Sequence, residues 1–229
     1  MNNLVIECCA NSVQSAINGV KGGANRIELC NNLENGGLTP KYEDIIKAKE
    51  KLITPLHILI RPREGSFIYT NDELNQILTD ITFCKNVGCA GVVIGSLNID
   101  GSINKKQTKA MVDSAKPMHI TFHRAFDECN NLLRNLKDVI DCGCDTLLTS
   151  GQEKNVCLGF EKLKTLVSIS KGRINILAGG GVNHENVKAL FKIGVRSFHL
   201  SGSEKNSNGI LETNSKNILS VIKKLKTLV

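Results

Sequence analysis

Short apolar segments alternate with helix-length segments along the chain, and this alternation constrains the fold more than any other feature of the sequence. Each apolar segment has the length of one strand, and each intervening stretch can hold one helix. Strands separated by helices favour a parallel sheet, and eight such units close naturally into a barrel. The eight predicted strands cover residues 4–8, 26–30, 56–61, 91–95, 119–123, 146–150, 174–178 and 197–201.

The pattern therefore predicts an α/β fold of the TIM (β/α)8 barrel type, built as a single domain over residues 1–229. The length supports one domain, because such barrels take about 250 residues. No linker or low-complexity stretch divides the chain. Residues 215–229 are predicted to form a final amphipathic helix, with Ile218, Val221, Ile222, Leu225 and Leu228 on one face.

Composition argues against several classes of partner. The net charge is +7, but the lysines form no long basic run and aromatic residues make up 4% of the chain, so nucleic-acid binding is not expected. No apolar run approaches the roughly 20 residues of a membrane span, and the first residues lack the basic and apolar regions of a signal peptide. We therefore expect a cytoplasmic protein. The nine cysteines form no CxxC pair, which favours thiols over a structural zinc site.

Strand parity predicts which side chains face the barrel axis. Alternate residues of each strand are large and apolar and should pack against the helices, while the other, mixed set should face inward. Near the C-terminal strand ends, the inward set contains Glu7, Glu28, Arg61, His123 and His199, with Arg63 just beyond. Because the βα loops open at this end of a barrel, these ionisable residues predict a functional pocket there.

Four residues are candidates for proton transfer, namely Glu7, Glu28, His123 and Asp127. Asp127 follows strand five and is expected to reach back to His123 or Arg124. A carboxylate that orients a histidine suits general acid/base work or metal ligation. His199 and Ser150 are predicted to line the same pocket.

A second group of residues indicates an anionic ligand. The chain has only seven arginines, and several of them lie on or beside inward strand positions, where guanidinium groups bind carboxylates or phosphates. A triple glycine follows strand seven, where it is expected to open a helix whose N-terminus favours negative charge. Loops after strands seven and eight form the common phosphate site of this fold. The predicted anion-binding residues are Arg61, Arg63, Arg124, Gly179, Gly180, Gly181 and Ser201.

Several segments are jointly characteristic of a known family. They are Ile6-Glu-Cys with Ser12-Val-Gln-Ser-Ala, Gly22-Gly-Ala-Asn-Arg-Ile-Glu-Leu-Cys, Gly36-Gly-Leu-Thr-Pro, Ile60-Arg-Pro-Arg, Thr121-Phe-His-Arg-Ala-Phe-Asp, Leu148-Thr-Ser-Gly, Gly179-Gly-Gly-Val and Phe198-His-Leu-Ser. On these segments the chain resembles the copper homeostasis protein CutC family over residues 3–202. The resemblance implies a cytoplasmic barrel, often a homo-oligomer, that takes part in copper homeostasis by binding Cu(I).

The resemblance also implies cysteine ligands for the copper ion. Copper binding in the family is attributed to cysteines, and Cys30 at the end of strand two is the matching candidate. Cys8, which follows Glu7, is the second predicted metal ligand, since converging thiolates suit a soft ion such as Cu(I). The chain departs from the family pattern at Cys9, where other members often carry another small residue.

The sequence leaves three functions open. The first is a CutC-like protein that binds copper ion through Cys30 and Cys8. The second is an enzyme of the isomerase, epimerase or lyase type that acts on a small anionic or phosphorylated metabolite in the Glu/Arg/His pocket. The third is a scaffold whose ion-pair network only stabilises the barrel. Residue types alone do not decide whether the chain is an enzyme.

Overall fold

A closed barrel of eight parallel strands forms the centre of the computed structural model, which describes residues 4–228. The strands neighbour one another in chain order, and the last strand pairs with the first. They are β1 Val5–Ala10, β2 Arg26–Leu29, β3 Leu56–Leu59, β4 Gly91–Ile94, β5 His119–Phe122, β6 Thr146–Thr149, β7 Asn175–Gly179 and β8 Ser197–Leu200. The predicted TIM barrel is confirmed.

One helix follows each strand and covers the outside of the barrel. The helices are α1 Val13–Lys21, α2 Tyr42–Lys51, α3 Asn71–Asn86, α4 Lys105–Ala115, α5 Leu132–Cys142, α6 Phe160–Ser170, α7 Val187–Lys192 and α8 Ser215–Lys226. Local signals fix several ends: Thr70 forms a capping box with Glu73 before α3, and Gly143 ends α5 with a φ of 88°. The apolar face predicted for the last helix lies against the core. Within residues 4–228, no helix has the length and apolar character needed to cross a membrane.

Strand side chains separate into two layers, as their parity predicts. Outward residues such as Ile27 and Phe198 are fully buried in a large core between the barrel and the helices. Inside the barrel, a separate small cluster contains Cys9, Cys30, Leu59 and Val93. Much of the remaining inner surface is polar, so the burial of apolar area is concentrated in the outer layer.

Some boundaries differ from the predictions. Strand β1 continues two residues beyond its predicted end, to Ala10, and β7 is shifted by one residue toward the C-terminus. The other six strands end one or two residues earlier than predicted. The sequence pattern also does not predict a short antiparallel hairpin, β9 Ser203–Lys205 and β10 Leu211–Thr213. Its strands have three residues each and mixed exposure, so they carry no readable alternation. The hairpin lies against α1, where Asn18 donates a hydrogen bond of 3.0 Å to the carbonyl of Thr213.

Candidate functional site

A cavity of about 290 Å³ opens at the C-terminal ends of the barrel strands. Its walls come from strand ends and from the loops that follow β2, β3, β5, β7 and β8. The cavity brings together Glu28, Cys30, Arg61, His123, Arg124, Gly180, Gly181, His199 and Ser201, all of which the sequence assigns to the site. The cavity therefore lies at the end of the barrel where the βα loops were expected to form the pocket.

Glu7 lies beneath the cavity and is completely buried. Its carboxylate accepts one hydrogen bond from Nε of Arg26 and another from Nδ1 of His199, 2.7 Å away. Burial by itself raises the pKa of Glu7, but Arg26, His199 and His57 outweigh burial and hold that pKa well below its usual range. Such a carboxylate anchors cations, which does not favour the proton-transfer role that the sequence suggested for Glu7.

His199 lies between the two buried carboxylates. Burial lowers the pKa of its imidazole, but Glu28 and Glu7 outweigh burial and leave the pKa above its ordinary value. Because Nδ1 donates to Glu7, Nε2 is the nitrogen that remains for the cavity. The hydrogen bond with Glu7 therefore fixes the tautomer and the orientation of His199.

Glu28 is the second buried carboxyl group and is only 3% exposed. Its Oε1 accepts a weak hydrogen bond from Sγ of Cys9 at 3.5 Å, and its Oε2 is buried without a partner in the part of the chain that the structure describes. Burial raises the pKa of Glu28 to about 7, against the opposing effect of His199. A carboxyl group with this pKa can both give and take a proton near neutral pH.

Arg61 is a buried guanidinium without a carboxylate partner. It is 7% exposed and donates to the carbonyl oxygens of Asn35, Gly37 and Gly65 at 3.2, 3.1 and 2.9 Å. Its Cζ lies 4.7 Å from the centre of the Phe67 ring. Across residues 4–228 its Nε has no hydrogen-bond partner and the side chain forms no salt bridge.

His123 begins the loop after β5 and is 4% exposed. Its Nδ1 accepts a hydrogen bond of 3.1 Å from the backbone N–H of Ala125, and its ring lies 4.8 Å from that of Phe67. Its Nε2 is buried and has no partner among the described residues. Burial, assisted by the positive charge of Arg61, lowers the pKa of His123 to about 3.

The sequence left two partners open for Asp127, namely His123 and Arg124, and the structure pairs it with Arg124. Its Oδ2 lies 2.8 Å from Nε of Arg124, and the same carboxylate accepts from the backbone N–H of Ser150 at 3.0 Å. Arg124 also donates to Oγ of Ser150 at 3.0 Å, and a Cβ added to Gly180 would lie 3.3 Å from its Cζ. One carboxylate thus ties the loop after β5 to the loop after β6 and fixes Arg124 at the cavity wall.

Cys8 and Arg63 lie outside the cavity. Sγ of Cys8 points from β1 into the helix layer, 3.8 Å from Oγ1 of Thr213, and a Cβ on Gly19 of α1 would lie 2.6 Å from it. Arg63 comes after the last inward residue of its strand and pairs with Glu73 at the start of α3. Their positions do not support the predicted metal role of Cys8 or the predicted anion-binding role of Arg63.

The triple glycine serves more than one purpose. Gly180 and Gly181 line the cavity with φ values of 103° and 82°, which favour glycine. Gly179 faces the axis below them, where an added Cβ would lie 2.5 Å from Cδ1 of Leu148. The expected helix does not follow directly, because α7 begins only at Val187, so its N-terminus is not part of the cavity wall.

Cys9 takes the place that the sequence analysis gave to Cys8. The longer β1 carries Cys9 to the inner surface, where its Sγ lies 3.9 Å from Sγ of Cys30. Cys9, Glu28 and His199 also offer possible metal-ligand atoms within 4.8 Å of one another. The hydrogen bond with Cys30, together with burial, raises the pKa of the Cys9 thiol well above its ordinary value. A soft metal ion would have to displace that proton.

Some cavity residues were missed by the sequence analysis. Cys9 has the parity of the inward residues of β1, so placing the end of the strand two residues later would have identified it. Gly36, Gly37 and Phe67 come from the loops after β2 and β3. Loops have no hydrophobic period, so no pattern in the sequence assigns these three residues to the cavity.

Fold and cavity together define a single β/α barrel protein with ionisable groups and a thiol pair at the C-terminal strand ends. Within this class, the chain belongs to the CutC family, whose family model matches residues 4–204. A CutC family protein from Bacteroides fragilis is 43% identical over 212 residues, which cover 92% of this chain and 84% of that protein. One from Vibrio cholerae is 43% identical over 199 residues, covering 86% of this chain and 78% of that protein.

Solved structures agree with the family assignment. The crystal structure of CutC from Streptococcus agalactiae, described as a candidate copper homeostasis protein, has a TM-score of 0.82 and 27% identity. The match covers 86% of this chain and 98% of that protein. Thiamine phosphate pyrophosphorylase from Pyrococcus furiosus has a TM-score of 0.65 at 15% identity and covers 100% of this chain and 98% of that one, which shows a shared barrel fold alone.

Proposed function

We propose that the chain binds a small anionic metabolite in the cavity and catalyses a proton transfer on it, as an isomerase, epimerase or lyase does. The observation that carries this proposal is the buried guanidinium of Arg61, whose hydrogen-bond acceptors within residues 4–228 are only carbonyl oxygens. A buried charge without a counter-charge costs several kcal/mol, and a carboxylate or phosphate of a ligand would offset that cost.

The charges around the cavity support an anionic ligand. The other arginines of the site are paired with carboxylates, Arg26 with Glu7 and Arg124 with Asp127. Among the residues that the structure describes, Arg61 has no carboxylate at salt-bridge distance, so its positive charge remains for a ligand. The volume of about 290 Å³ suits a ligand at the small end of the range for metabolites.

Glu28 supports the catalytic part of the proposal. Its carboxyl group lines the cavity, is buried, and has one oxygen without a partner in the described chain. With a pKa of about 7, it is present in both protonation states near neutral pH. A group of this kind can remove a proton from a bound metabolite and return it at another position or face. Arg61 and Arg124 would hold the anionic groups of that metabolite while the proton moves.

Calorimetric titration with 2-phosphoglycolate and with inorganic phosphate tests the proposal. We expect both to bind, and we expect Arg61→Gln to raise the Kd for 2-phosphoglycolate at least about tenfold, because it removes the unpaired cation. Arg63→Gln is the matched control, since Arg63 follows two residues later but pairs with Glu73 outside the cavity. The proposal is refuted if neither anion binds, or if Arg61→Gln and Arg63→Gln raise the Kd for 2-phosphoglycolate equally.

A second candidate function is Cu(I) binding, which the thiol pair favours. The sulfur atoms of Cys9 and Cys30 lie 3.9 Å apart, and Sγ of Cys9 also lies within 4.8 Å of possible ligand atoms of Glu28 and His199, so the thiol pair adjoins an imidazole and a carboxylate donor. Cys9, His199 and Glu28 would hold the copper ion, and Cys30 would add its thiolate from beside Cys9. The relative from Streptococcus agalactiae, whose name refers to copper homeostasis, supports such a role for this chain, and a cytoplasmic location is part of the same proposal.

Anaerobic titration of Cu(I) against a competing chelator tests this second function. We expect the wild type to take one Cu(I) from the chelator, and the double variant Cys9→Ser and Cys30→Ser to lose that ability. Cys8→Ser is the matched control because the neighbouring Sγ of Cys8 faces the helix layer. Retention of Cu(I) by the double variant would exclude this site.

A further inference from the structure

The hydrogen bond at Nδ1 determines where the neutral ring of His123 carries its hydrogen. The backbone N–H of Ala125 can only donate, and it lies 3.1 Å from Nδ1. Nδ1 therefore accepts with its lone pair, so the single hydrogen of the neutral imidazole is on Nε2. Nε2–H is thus a donor, and it is buried in the cavity wall without an acceptor among residues 4–228.

The surroundings keep this donor neutral and in place. The ring packs beside Phe67 and against Gly95, where an added Cβ would lie 2.5 Å from its Cε1 and Nδ1. Arg61 packs against the same Phe67 ring, and burial together with this cation disfavours protonation of the imidazole. A buried donor without an acceptor is uncommon in proteins and indicates that a ligand atom completes the hydrogen bond.

We infer that Nε2–H of His123 donates to a carbonyl oxygen of the substrate, and that the substrate is a small 2-oxo acid whose carboxylate binds Arg61. The inference rests on the proposed function, since it assumes an anionic ligand in this cavity. Arg61 and His123 both line the cavity and both contact the ring of Phe67, whose centre lies 4.7 Å from Cζ of Arg61 and 4.8 Å from the ring centre of His123, so one small molecule can reach both. A 2-oxo acid carries the two groups that such donors bind, a carboxylate and a ketone oxygen on neighbouring carbons.

A neutral donor suits an atom that becomes charged only during the reaction. When a base removes the proton from the carbon next to the ketone, the C–H electron pair forms a C=C bond. The C=O π electrons then move to oxygen, which becomes an oxyanion and accepts the hydrogen bond from Nε2–H. Return of the proton to carbon restores the ketone and the base, so the cycle needs no other reactant. Under the proposed function, the carboxyl of Glu28 carries that proton.

The test compares 2-oxobutyrate with butyrate by calorimetric titration, because these monoanions differ only in the ketone oxygen. We expect the wild type to bind 2-oxobutyrate at least about tenfold more tightly, which is the effect of one well-placed hydrogen bond. His123→Leu removes the donor and should abolish this preference, so that the ratio of the two affinities approaches one. His123→Gln retains an amide N–H near the place of Nε2 and should keep part of the preference.

The outcomes separate this inference from the proposed function. If 2-phosphoglycolate binds with the expected dependence on Arg61, but 2-oxobutyrate binds no better than butyrate, the inference is wrong and the proposed function stands. The inference also fails if the preference survives in His123→Leu. If neither 2-phosphoglycolate nor phosphate binds, the proposed function itself is wrong.

Nitrogen NMR of the histidine side chains gives an independent measurement that needs no ligand. We expect His123 to show an unprotonated Nδ1 and a protonated Nε2 between about pH 5 and 8, with no titration in that interval. Assignment of the resonance uses its loss in His123→Gln. A hydrogen on Nδ1, or a ring that becomes charged within that interval, overturns the inference.

Discussion

Glu7 and His199 face each other in register on β1 and β8, and Oε1 of Glu7 lies 2.7 Å from Nδ1 of His199. The same carboxylate binds Arg26, which is in register with Glu7 on β2. One buried carboxylate therefore connects three strands at the point where the first and last strands close the barrel. It also directs Nε2 of His199 toward the cavity, so closure of the barrel and orientation of the site depend on the same group.

Replacing Glu7 by glutamine should strongly destabilise the protein. The amide cannot balance the charges of Arg26 and His199, and removal of one partner from a buried ion pair costs about 3–5 kcal/mol. The low pKa of Glu7 means that its stabilising effect is present above the ordinary value of 4.5 and is lost as the pH falls further. Urea unfolding measures the stability difference between the wild type and Glu7→Gln, which should be smaller below pH 4.5 than at neutral pH. Glu50→Gln, at an exposed residue, should change stability by less than about 0.5 kcal/mol.

Replacing Glu28 by glutamine should have the opposite effect at neutral and alkaline pH. Between pH 4.5 and about 7, the unfolded chain loses the Glu28 proton while the folded protein keeps it, so rising pH favours the unfolded state. The resulting decrease in the stability of the wild type is complete above about pH 7 and reaches up to about 3 kcal/mol. Glutamine cannot ionise, so Glu28→Gln should match the wild type near pH 4.5 and exceed its stability at about pH 8.

Urea unfolding at those two pH values measures this difference. A stability difference between Glu28→Gln and the wild type that stays constant with pH would contradict the raised pKa of Glu28. The same variant should lose any proton-transfer activity, since it has no ionisable group at that place in the cavity. Gain of stability with loss of activity is the expected signature of a buried functional carboxyl group.

Much of the barrel and of its inner surface could be predicted from the sequence because both depend on alternation. Period-two patterning fixes which side chains face inward, so Glu28, Arg61, His123 and His199 could be assigned to one pocket before the structure was known. The same rule directs the sulfur of Cys8 outward, because Cys8 has even parity in β1, so its assignment as a metal ligand did not follow from the rule. Ending the predicted strand at residue 8 left the inward position of Cys9 unrecognised.

Contacts made by loops could not be predicted in this way. Asp127 bonds to the loop after β6, and Phe67 packs against Arg61 and His123 from the loop after β3. Both contacts join segments that are distant in sequence, and their geometry depends on backbone turns rather than on hydrophobic period. That Arg61 has no carboxylate at salt-bridge distance within residues 4–228 likewise depends on loop positions that the sequence pattern does not give.

Asp127 should act as a positioning residue for Arg124. Its carboxylate accepts from Arg124 at 2.8 Å and from the backbone N–H groups of Ser150 and Gln152 at 3.0 Å. Asp127→Asn removes the charge and turns one acceptor into a donor, so we expect a loss of about 2 kcal/mol of stability. We also expect the Kd for inorganic phosphate to rise about tenfold, because Arg124 is no longer held at the cavity wall.

Calorimetric titration and urea unfolding of Asp127→Asn measure both effects. Asp113→Asn provides the control, because the side chain of Asp113 is 72% exposed and forms a surface ion pair with Lys116. It should leave the affinity for phosphate unchanged. An Asp127→Asn protein that is destabilised but binds phosphate normally would show that this carboxylate supports the loops and has no role in placing Arg124.

Gly95 leaves the space that His123 occupies, so alanine at this place should displace the imidazole. A Cβ added to Gly95, which directly follows β4, would lie 2.5 Å from two ring atoms of His123. A Cβ added to Gly91, at the inward start of β4, would lie 2.7 Å from Nε2 of His57. Both Gly→Ala variants should lose about 1–3 kcal/mol of stability through overpacking. Only Gly95→Ala should weaken the preference for 2-oxobutyrate over butyrate, because His57 is not part of the cavity wall. Equal loss of that preference in Gly91→Ala would mean that packing of the whole barrel interior, rather than the location of His123, governs ligand selection.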